Sequence, residues 1–532
     1  MPKDVLFVLD ASGSMRGEKI EQARAAIEYC LGRLNESDCF NIVTFGTEVT
    51  AFRSEPAGNS KQAVAAAKEY LDNVIARGRT NISGALSKAL AGKAQAGRLR
   101  IAIFLTDGTP TAGETSADKI VQQVPEMNTS GAKIFVMGVG NDVNAHLLDK
   151  LAECTEGASE YVRPDEEVDA RIATLYDRLS NPVLNNVAVA FGDLRPTAVF
   201  PAKLPALFIG SQVMVAGRYR TAGTHKITLA GTLAGEPAQY ICTADLPAKT
   251  APDDNEFVAP LWAARKIGFL LREIRLNGEN KELVNEIVRL STKFGIITEY
   301  TSYLAGGASG SGGSGLAMSG PRPGATAREA AEFVTGKLSE ARAQQAGQWA
   351  VNQAVNEQEL QRRNVASDEA NLYRDRSGNL VKAENIMQVG SRAFYFRAGQ
   401  WVDSETDAKQ KTRVVKLFSD EYFDLLKKDK DFARAQSLGW NVQMNVGAER
   451  IEVEKDGKTS VDVPAPAPAP EQNQQQNIGR QQGINQQMNI NQQMNVNQQI
   501  DQAPRQIPGK QVNQINQRAQ QEQATQPKQA DR

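Results

Sequence analysis

Short apolar runs alternate with amphipathic stretches over the first third of the chain. Val5-Leu6-Phe7-Val8-Leu9 is apolar throughout and ends at Asp10, the pattern of a strand buried on both faces. Ile20, Ala23, Ile27, Leu31 and Leu34 then recur three or four apart, one face of a helix. Phe40–Phe45 and Val49–Phe52 read as strands around Gly46, and Ala63–Val74 and Gly84–Ala91 read as helices. Ile101–Leu105 and Ile134–Met137 are further buried strands, the first running to Asp107; helices follow over Ala145–Cys154 and Val168–Leu179. Strands alternating with helices predict an α/β fold, a Rossmann-like, doubly wound, mostly parallel sheet covered on both faces.

Helical periodicity stops at Pro182. Val187–Phe191, Val213–Tyr219, His225–Leu229 and Gln239–Thr243 predict a small β-rich sandwich. Helices return over Phe257–Leu276 and Lys281–Phe294, and a polar Ala/Gln-rich helix is predicted from about Thr326 to Arg363. Phe394-Tyr395-Phe396 and Gln400-Trp401-Val402 flank Arg397-Ala398-Gly399, a hairpin signal, and Ser419 is placed to cap a helix through Leu426. The predicted organisation is an α/β domain (1–181), a β-rich domain (182–250), helices packed with it (251–304), a Gly/Ser linker (305–325), a polar helical segment (326–379), a small α+β region (380–460) and a tail (461–532). The tail alternates Pro and Ala from Pro464 to Pro470 and then becomes Gln/Asn-rich, with Asn485–Ile490 nearly repeated in Asn491–Val496. Such a composition cannot bury a core and predicts disorder.

Composition narrows the function. Lys and Arg number 61 against 62 Asp and Glu, so no basic excess points to nucleic acid. Cys30, Cys39, Cys154 and Cys242 have no CxxC spacing and read as buried or idle thiols; a Cys30–Cys39 bridge stays open. No run approaches the ~18 apolar residues of a transmembrane helix. Met1-Pro2-Lys3-Asp4 leads straight into a strand without a signal-peptide pattern, and the sequence assigns no location. Gly310, Gly312 and Gly315 have GxGxxG spacing, but no strand precedes them, so dinucleotide binding is not expected.

The candidate chemistry sits where strands end, the ligand-binding edge of open α/β sheets. Asp10, Ser12 and Ser14 form Asp-x-Ser-x-Ser after the first strand; Thr80 precedes a helix; Asp107 follows another buried strand. All five offer oxygen, and none offers sulfur or imidazole. Oxygen-only sets suit hard divalent ions, Mg²⁺ above all, with Mn²⁺ or Ca²⁺ as alternatives. Gly13 lets the backbone turn tightly between the serines.

Val8-Leu9-Asp10-Ala11-Ser12-Gly13-Ser14-Met15, Thr80 and Leu105-Thr106-Asp107-Gly108 resemble the metal-ion-dependent adhesion site of von Willebrand factor type A domains. The resemblance implies direct ligation by Ser12 and Ser14, direct or water-mediated ligation by Thr80, and water-mediated roles for Asp10 and Asp107. It also implies a protein partner that donates an Asp or Glu carboxylate. Pro260–Ile267, Gly278-Glu279-Asn280 and Phe294–Ser302 further resemble bacterial relatives of inter-alpha-trypsin-inhibitor heavy chains. Those relatives usually carry another β-domain ahead of the type A domain and often an export signal; neither is read in this sequence. No enzyme is expected. A haloacid-dehalogenase-type phosphatase with Asp10 as nucleophile normally has a second carboxylate two residues on, where Ser12 stands. His146 reads as a helix-surface residue and His225 falls in the β-rich part, leaving no serine-hydrolase constellation. The alternative to adhesion is a scaffold whose tail mediates interaction.

Overall fold

The computed structural model describes residues 2–92, 97–179, 182–209, 212–233, 236–248, 255–301, 327–366, 371–406 and 410–455. The Gly/Ser stretch with its GxGxxG spacing and the tail from 461 onward lie outside the described residues.

The N-terminal α/β part runs β1 (Lys3–Asp10), α1 (Glu18–Leu31), β2 (Cys39–Phe45), β3 (Val49–Ala51), β4 (Ala57–Gly58), α2 (Lys61–Asp72), α3 (Ile82–Leu90), β5 (Leu99–Thr106), α4 (Ala117–Met127), β6 (Lys133–Val139), α5 (Ala145–Cys154), β7 (Ala158–Val162) and α6 (Val168–Leu179). The strand order is β3-β2-β1-β5-β6-β7, with β4 also on β2. All pairs are parallel except β3 and β4 on β2. Residues along β1 divide between two cores as the pleat requires. Val5, Phe7 and Leu9 pack with α1, α2 and α6. Leu6 and Val8 pack with α3, α4 and α5. The chain leaves β1 for β2 on one side and later reaches β5 on the other. The sheet therefore has its switch point between β1 and β5, where crossover loops diverge and leave a crevice.

The β-rich stretch contains β8 (Pro182–Ala190), β9 (Thr197–Phe200), β10 (Leu207–Phe208), β11 (Ala216–Arg218), β12 (Gly223–Leu233) and β13 (Glu236–Leu246). Where one sandwich is expected, a four-stranded sheet, β10-β8-β12-β13, and a separate β9-β11 ribbon form. The ribbon packs Phe200 and Ala216 on α7 (Val258–Asn277), and Trp262 Nε1 donates to Ala198 O at 2.8 Å. α8 (Lys281–Phe294) follows, capped by Asn280.

The single polar helix expected over 326–363 is two helices, α9 (Ala327–Ala343) and α10 (Gln348–Arg362), separated at Gly347 with φ 94°. Nor is α10 a solvated helix. It buries Trp349, Ala350, Val351, Ala354 and Leu360, together with Asn352, Gln353, Asn356 and Glu357. Its small residues Ala350, Val351 and Ala354 join the core beneath α5. The segment leading into α10 crosses the start of α5, where His146 N donates to Gln345 O and Gly347 N to Val143 O, each at 3.3 Å. His146 is thus buried, contrary to the surface position expected, and burial holds its imidazole below its usual pKa.

An ionic cluster joins these layers. Arg275 of α7 donates from Nη2 to Asp149 Oδ2 of α5 at 2.5 Å and to Glu357 Oε2 of α10 at 2.7 Å, and all three side chains are buried. Asp149 Oδ1 also accepts from Ser159 Oγ and from Tyr161 OH.

The last part begins with the β14 (Leu372–Arg374) and β15 (Leu380–Lys382) hairpin, which straddles the boundary expected at 379/380. β16 (Ile386–Val389), β17 (Arg392–Arg397), β18 (Gln400–Asp403), β19 (Thr412–Lys416), α11 (Asp420–Lys428), α12 (Lys430–Ala435), β20 (Val442–Val446) and β21 (Glu449–Glu454) follow. Its sheet runs β16-β17-β18-β20-β21-β19. β17 and β18 form the expected hairpin, and Ser419 caps α11 through Tyr422 N. All four cysteines are unbridged, and only Cys30 is fully buried. Among the described residues, no helix is long and apolar enough to cross a membrane.

Candidate metal centre

The five candidate oxygen-bearing residues meet at the switch point. Asp10 is the last residue of β1, and Asp107 follows β5 directly. Ser12 and Ser14 lie in the loop after β1, and Thr80 lies just before Asn81, whose side chain caps α3 by accepting from Gly84 N.

The loops are fastened to one another through backbone groups. Ala11 N donates to Phe45 O at 2.7 Å, Arg77 N to Ala11 O at 2.7 Å and Gly13 N to Gly78 O at 3.1 Å. Thr111 N and Ala112 N both donate to Thr80 O, and Thr80 N donates to Thr111 Oγ1 at 2.9 Å. Thr80 is therefore gripped by the loop that carries Asp107.

The side chains form a connected oxygen cluster. Ser12 Oγ and Ser14 Oγ are 3.1 Å apart, and Ser14 Oγ donates to Asp107 Oδ1 at 2.7 Å. A methyl group on Gly108 would lie 3.6 Å from Thr80 Oγ1 and 3.9 Å from Ser14 Oγ, so both hydroxyls face the same small space. Asp10 stands behind them, with Oδ1 accepting from Ser12 N at 2.8 Å and Oδ2 from Thr106 Oγ1 at 2.6 Å. Both its oxygens are engaged in holding the loop. Asp10, Ser12, Thr80 and Asp107 are buried; Ser14 is exposed and marks the open side.

Burial pushes the Asp10 carboxyl up to about 6, despite hydrogen bonds from Thr106 and Ser12 that favour its ionised form. Two side chains not anticipated from the sequence complete the arrangement. Thr106 orients Asp10, and Lys19 Nζ, from the first turn of α1, donates to Asp107 Oδ2 at 2.7 Å. Thr106 carries a signal in its position beside Asp107. Lys19 carries none, because a lysine on a helix end normally points to solvent.

The donor set tests well against a hard cation. Three hydroxyl oxygens and one carboxylate oxygen line the space, a second carboxylate lies immediately behind, and neither histidine nor any cysteine belongs to the cluster.

A family model for the von Willebrand factor type A domain matches residues 3–161. The chain is 31% identical over 325 residues to human (Homo sapiens) inter-alpha-trypsin inhibitor heavy chain H4, covering 57% of this chain and 35% of that protein. It is 28% identical over 323 residues to human heavy chain H2, covering 57% and 34%. The chain thus spans about a third of the length of the curated relatives it matches. Among solved structures, a von Willebrand factor type A protein from Catenulispora acidiphila aligns at 17% identity with a TM-score of 0.40, covering 54% of this chain and 79% of that one. The α/β part of the chain is a von Willebrand factor type A domain, in a protein that resembles inter-alpha-trypsin inhibitor heavy chains over more than half of its length.

Proposed function

We propose that this chain is a protein-binding module that holds a divalent cation, Mg²⁺ before Mn²⁺ or Ca²⁺, through Ser12, Ser14, Thr80 and Asp107, and presents it to a carboxylate of a protein partner. The observation that supports this most is the oxygen cluster at the switch point, in which Asp10, Ser12, Thr80 and Asp107 are buried and Ser14 is exposed. When bound, the cation supplies a Lewis-acidic position that an Asp or Glu side chain of the partner can occupy. The protein's own residues set the rest. Asp10 and Thr106 keep the loop in place and Lys19 holds the outer oxygen of Asp107. The charge balance favours an anionic partner. Two carboxylates and the Lys19 ammonium leave one negative charge, and a divalent cation inverts it to one positive charge.

Binding rather than catalysis is the better reading of Asp10. Its two oxygens are committed to Ser12 and Thr106, and the position two residues on is a buried serine rather than a general acid. The heavy-chain similarity supports an interaction role.

Isothermal titration of the purified chain with MgCl₂ and MnCl₂ tests the cation. The expected result is a single site that Asp107→Ala and the double change Ser12→Ala/Ser14→Ala abolish while circular dichroism stays unchanged. Metal binding that survives both changes overturns the assignment. The loaded protein should then bind an immobilised Glu-containing peptide, releasable by EDTA, and not the Gln version of that peptide; equal binding of the two removes the carboxylate from the proposal.

A further inference from the structure

Among the described residues, β13 is an unprotected sheet edge. It pairs with β12 over eleven consecutive residue pairs, Gly223↔Leu246 to Leu233↔Glu236, with no bulge. It is the outer strand of its sheet, and among the described residues no strand lies against its far side. Natural edge strands are kept short or guarded by inward charges, lysines, prolines or bulges. Between Ala238 and Ala244, β13 has none of these, and its charged residues, Glu236 and Asp245, stand at its ends.

One face of the same sheet is also left uncovered by the described residues. Register places Val189, Leu229 and Tyr240 side by side across three strands, with Ile227 opposite Cys242 in the next row on that face. Val189, Ile227 and Leu229 are half-buried, Tyr240 is 37% exposed and Cys242 is exposed. None of them joins a hydrophobic core formed by the described residues.

We infer that β13 is a self-association edge and that its occupant is a second copy of this chain. An antiparallel pairing about a two-fold axis at Ile241 is self-complementary. It sets Ala238 opposite Ala244, Gln239 opposite Thr243 and Tyr240 opposite Cys242, with Ile241 meeting its own counterpart. Glu236 meets Leu246 and Asp245 meets Pro237, so no like charges oppose. Even-numbered residues face even-numbered ones, so Tyr240, Cys242 and their neighbours form one apolar face running across both sheets. The result is an isologous dimer, the commonest form of assembly, with two four-stranded sheets fused into one. The inference does not depend on the metal centre.

Sedimentation equilibrium of the full chain, with and without EDTA, tests it together with two variants. The wild type is expected to dimerise reversibly in the micromolar range in both buffers. Ile241→Lys, which opposes two ammonium groups at the axis, is expected to be monomeric with an unchanged circular dichroism spectrum. Ile241→Cys in a Cys242→Ser background is expected to form a disulfide-linked dimer under mild oxidation. Two results overturn the inference. One is a wild type that stays monomeric at every concentration. The other is a dimer that Ile241→Lys leaves intact and that the Ile241→Cys variant does not cross-link, which would assign association to another surface.

Discussion

Replacing Arg275 by Met separates the role of the buried ionic cluster from that of the packing around it. The guanidinium reaches Glu357 through Nε at 3.0 Å to both oxygens and through Nη2 at 2.7 Å, and it reaches Asp149 through Nη2 at 2.5 Å. Methionine keeps most of the aliphatic volume but leaves two buried carboxylates without their cation. Breaking one buried pair in this way costs about 3–5 kcal/mol, because the remaining charge keeps its desolvation penalty and loses its compensation. For a folded unit spanning Met1–Asp456 that corresponds to a fall in Tm of roughly 3–5 °C. The deficit has a definite pH dependence. Burial already pushes Glu357 up in the wild type. Burial also disfavours the ionised form of Asp149, where the Arg275 charge, helped by Arg272, outweighs it; removing the guanidinium therefore moves both carboxyls up. The deficit relative to wild type is then smallest below about pH 4 and grows as pH rises through those raised values. The assay is thermal and urea denaturation at pH 4.5, 6 and 7.5, for the single variant and for Arg275→Met with Asp149→Asn and Glu357→Gln. The triple variant, lacking buried charge, should recover more than half of the loss. A single variant within about 0.5 kcal/mol of wild type, or a triple variant no better than the single, would refute the reasoning.

The Asp10 carboxyl, raised by burial to about 6, lies above its unfolded value. Its contribution to the metal-free protein is fully present below about pH 4 and is lost as pH rises through 6; Asp10→Asn should flatten that part of the stability profile, by on the order of 3 kcal/mol. On the proposed function, cation binding needs the ionised form, so the Tm increment produced by Mg²⁺ should grow as pH rises from 5 to 7; an increment independent of pH would show that Asp10 does not couple to the metal. A Cβ on Gly157 would lie 1.8 Å from Ile134 O, and the clash is with backbone, so Gly157→Ala should cost more than about 3 kcal/mol in urea denaturation; a variant as stable as wild type would contradict the spacing at the start of β6 and β7.

What is legible in the sequence follows from what is local. β1 and β5 are continuous apolar runs because both faces are buried, and such runs announce themselves without reference to their neighbours. Asp10 and Asp107 stand where those runs end, so their proximity follows from parallel neighbouring strands. α4 is not legible, because its buried stripe is only Ile120 and Val124 and it contains Pro125. α10 misleads for a different reason. Asn352 and Asn356 donate to Asp375 O and Arg374 O at 2.9 Å, and Glu357 pairs with Arg275 some eighty residues earlier. A polar residue satisfied by distant partners has the same letter as one facing water, and no periodicity separates the two. Lys19 and His146 belong to the same class, since each is defined by a segment that approaches from elsewhere in the chain.

The same distinction explains what the five-residue pattern omits. Hydroxyls and carboxylates provide the oxygens, but backbone groups fix their positions, and glycines make that fixing feasible. A Cβ on Gly46 would lie 2.7 Å from Arg77 O and 3.3 Å from Ala11 O. Gly78 has φ +82°, and its carbonyl accepts from Gly13 N. The loop after β1, the turn after β2 and the segment before α3 pack at distances that leave no room for side chains. Each orders the next before any ligand arrives. On the proposed function, a cation entering such a site would spend little of its binding energy on arranging the protein. The groups left to respond are Ser14 on the open side and Lys19, whose ammonium is partly exposed. Both sit at the mouth, where a partner's carboxylate would arrive. Rigid walls with an adjustable mouth suit reversible recognition better than a purely structural ion site, whose ligands would enclose the cation completely.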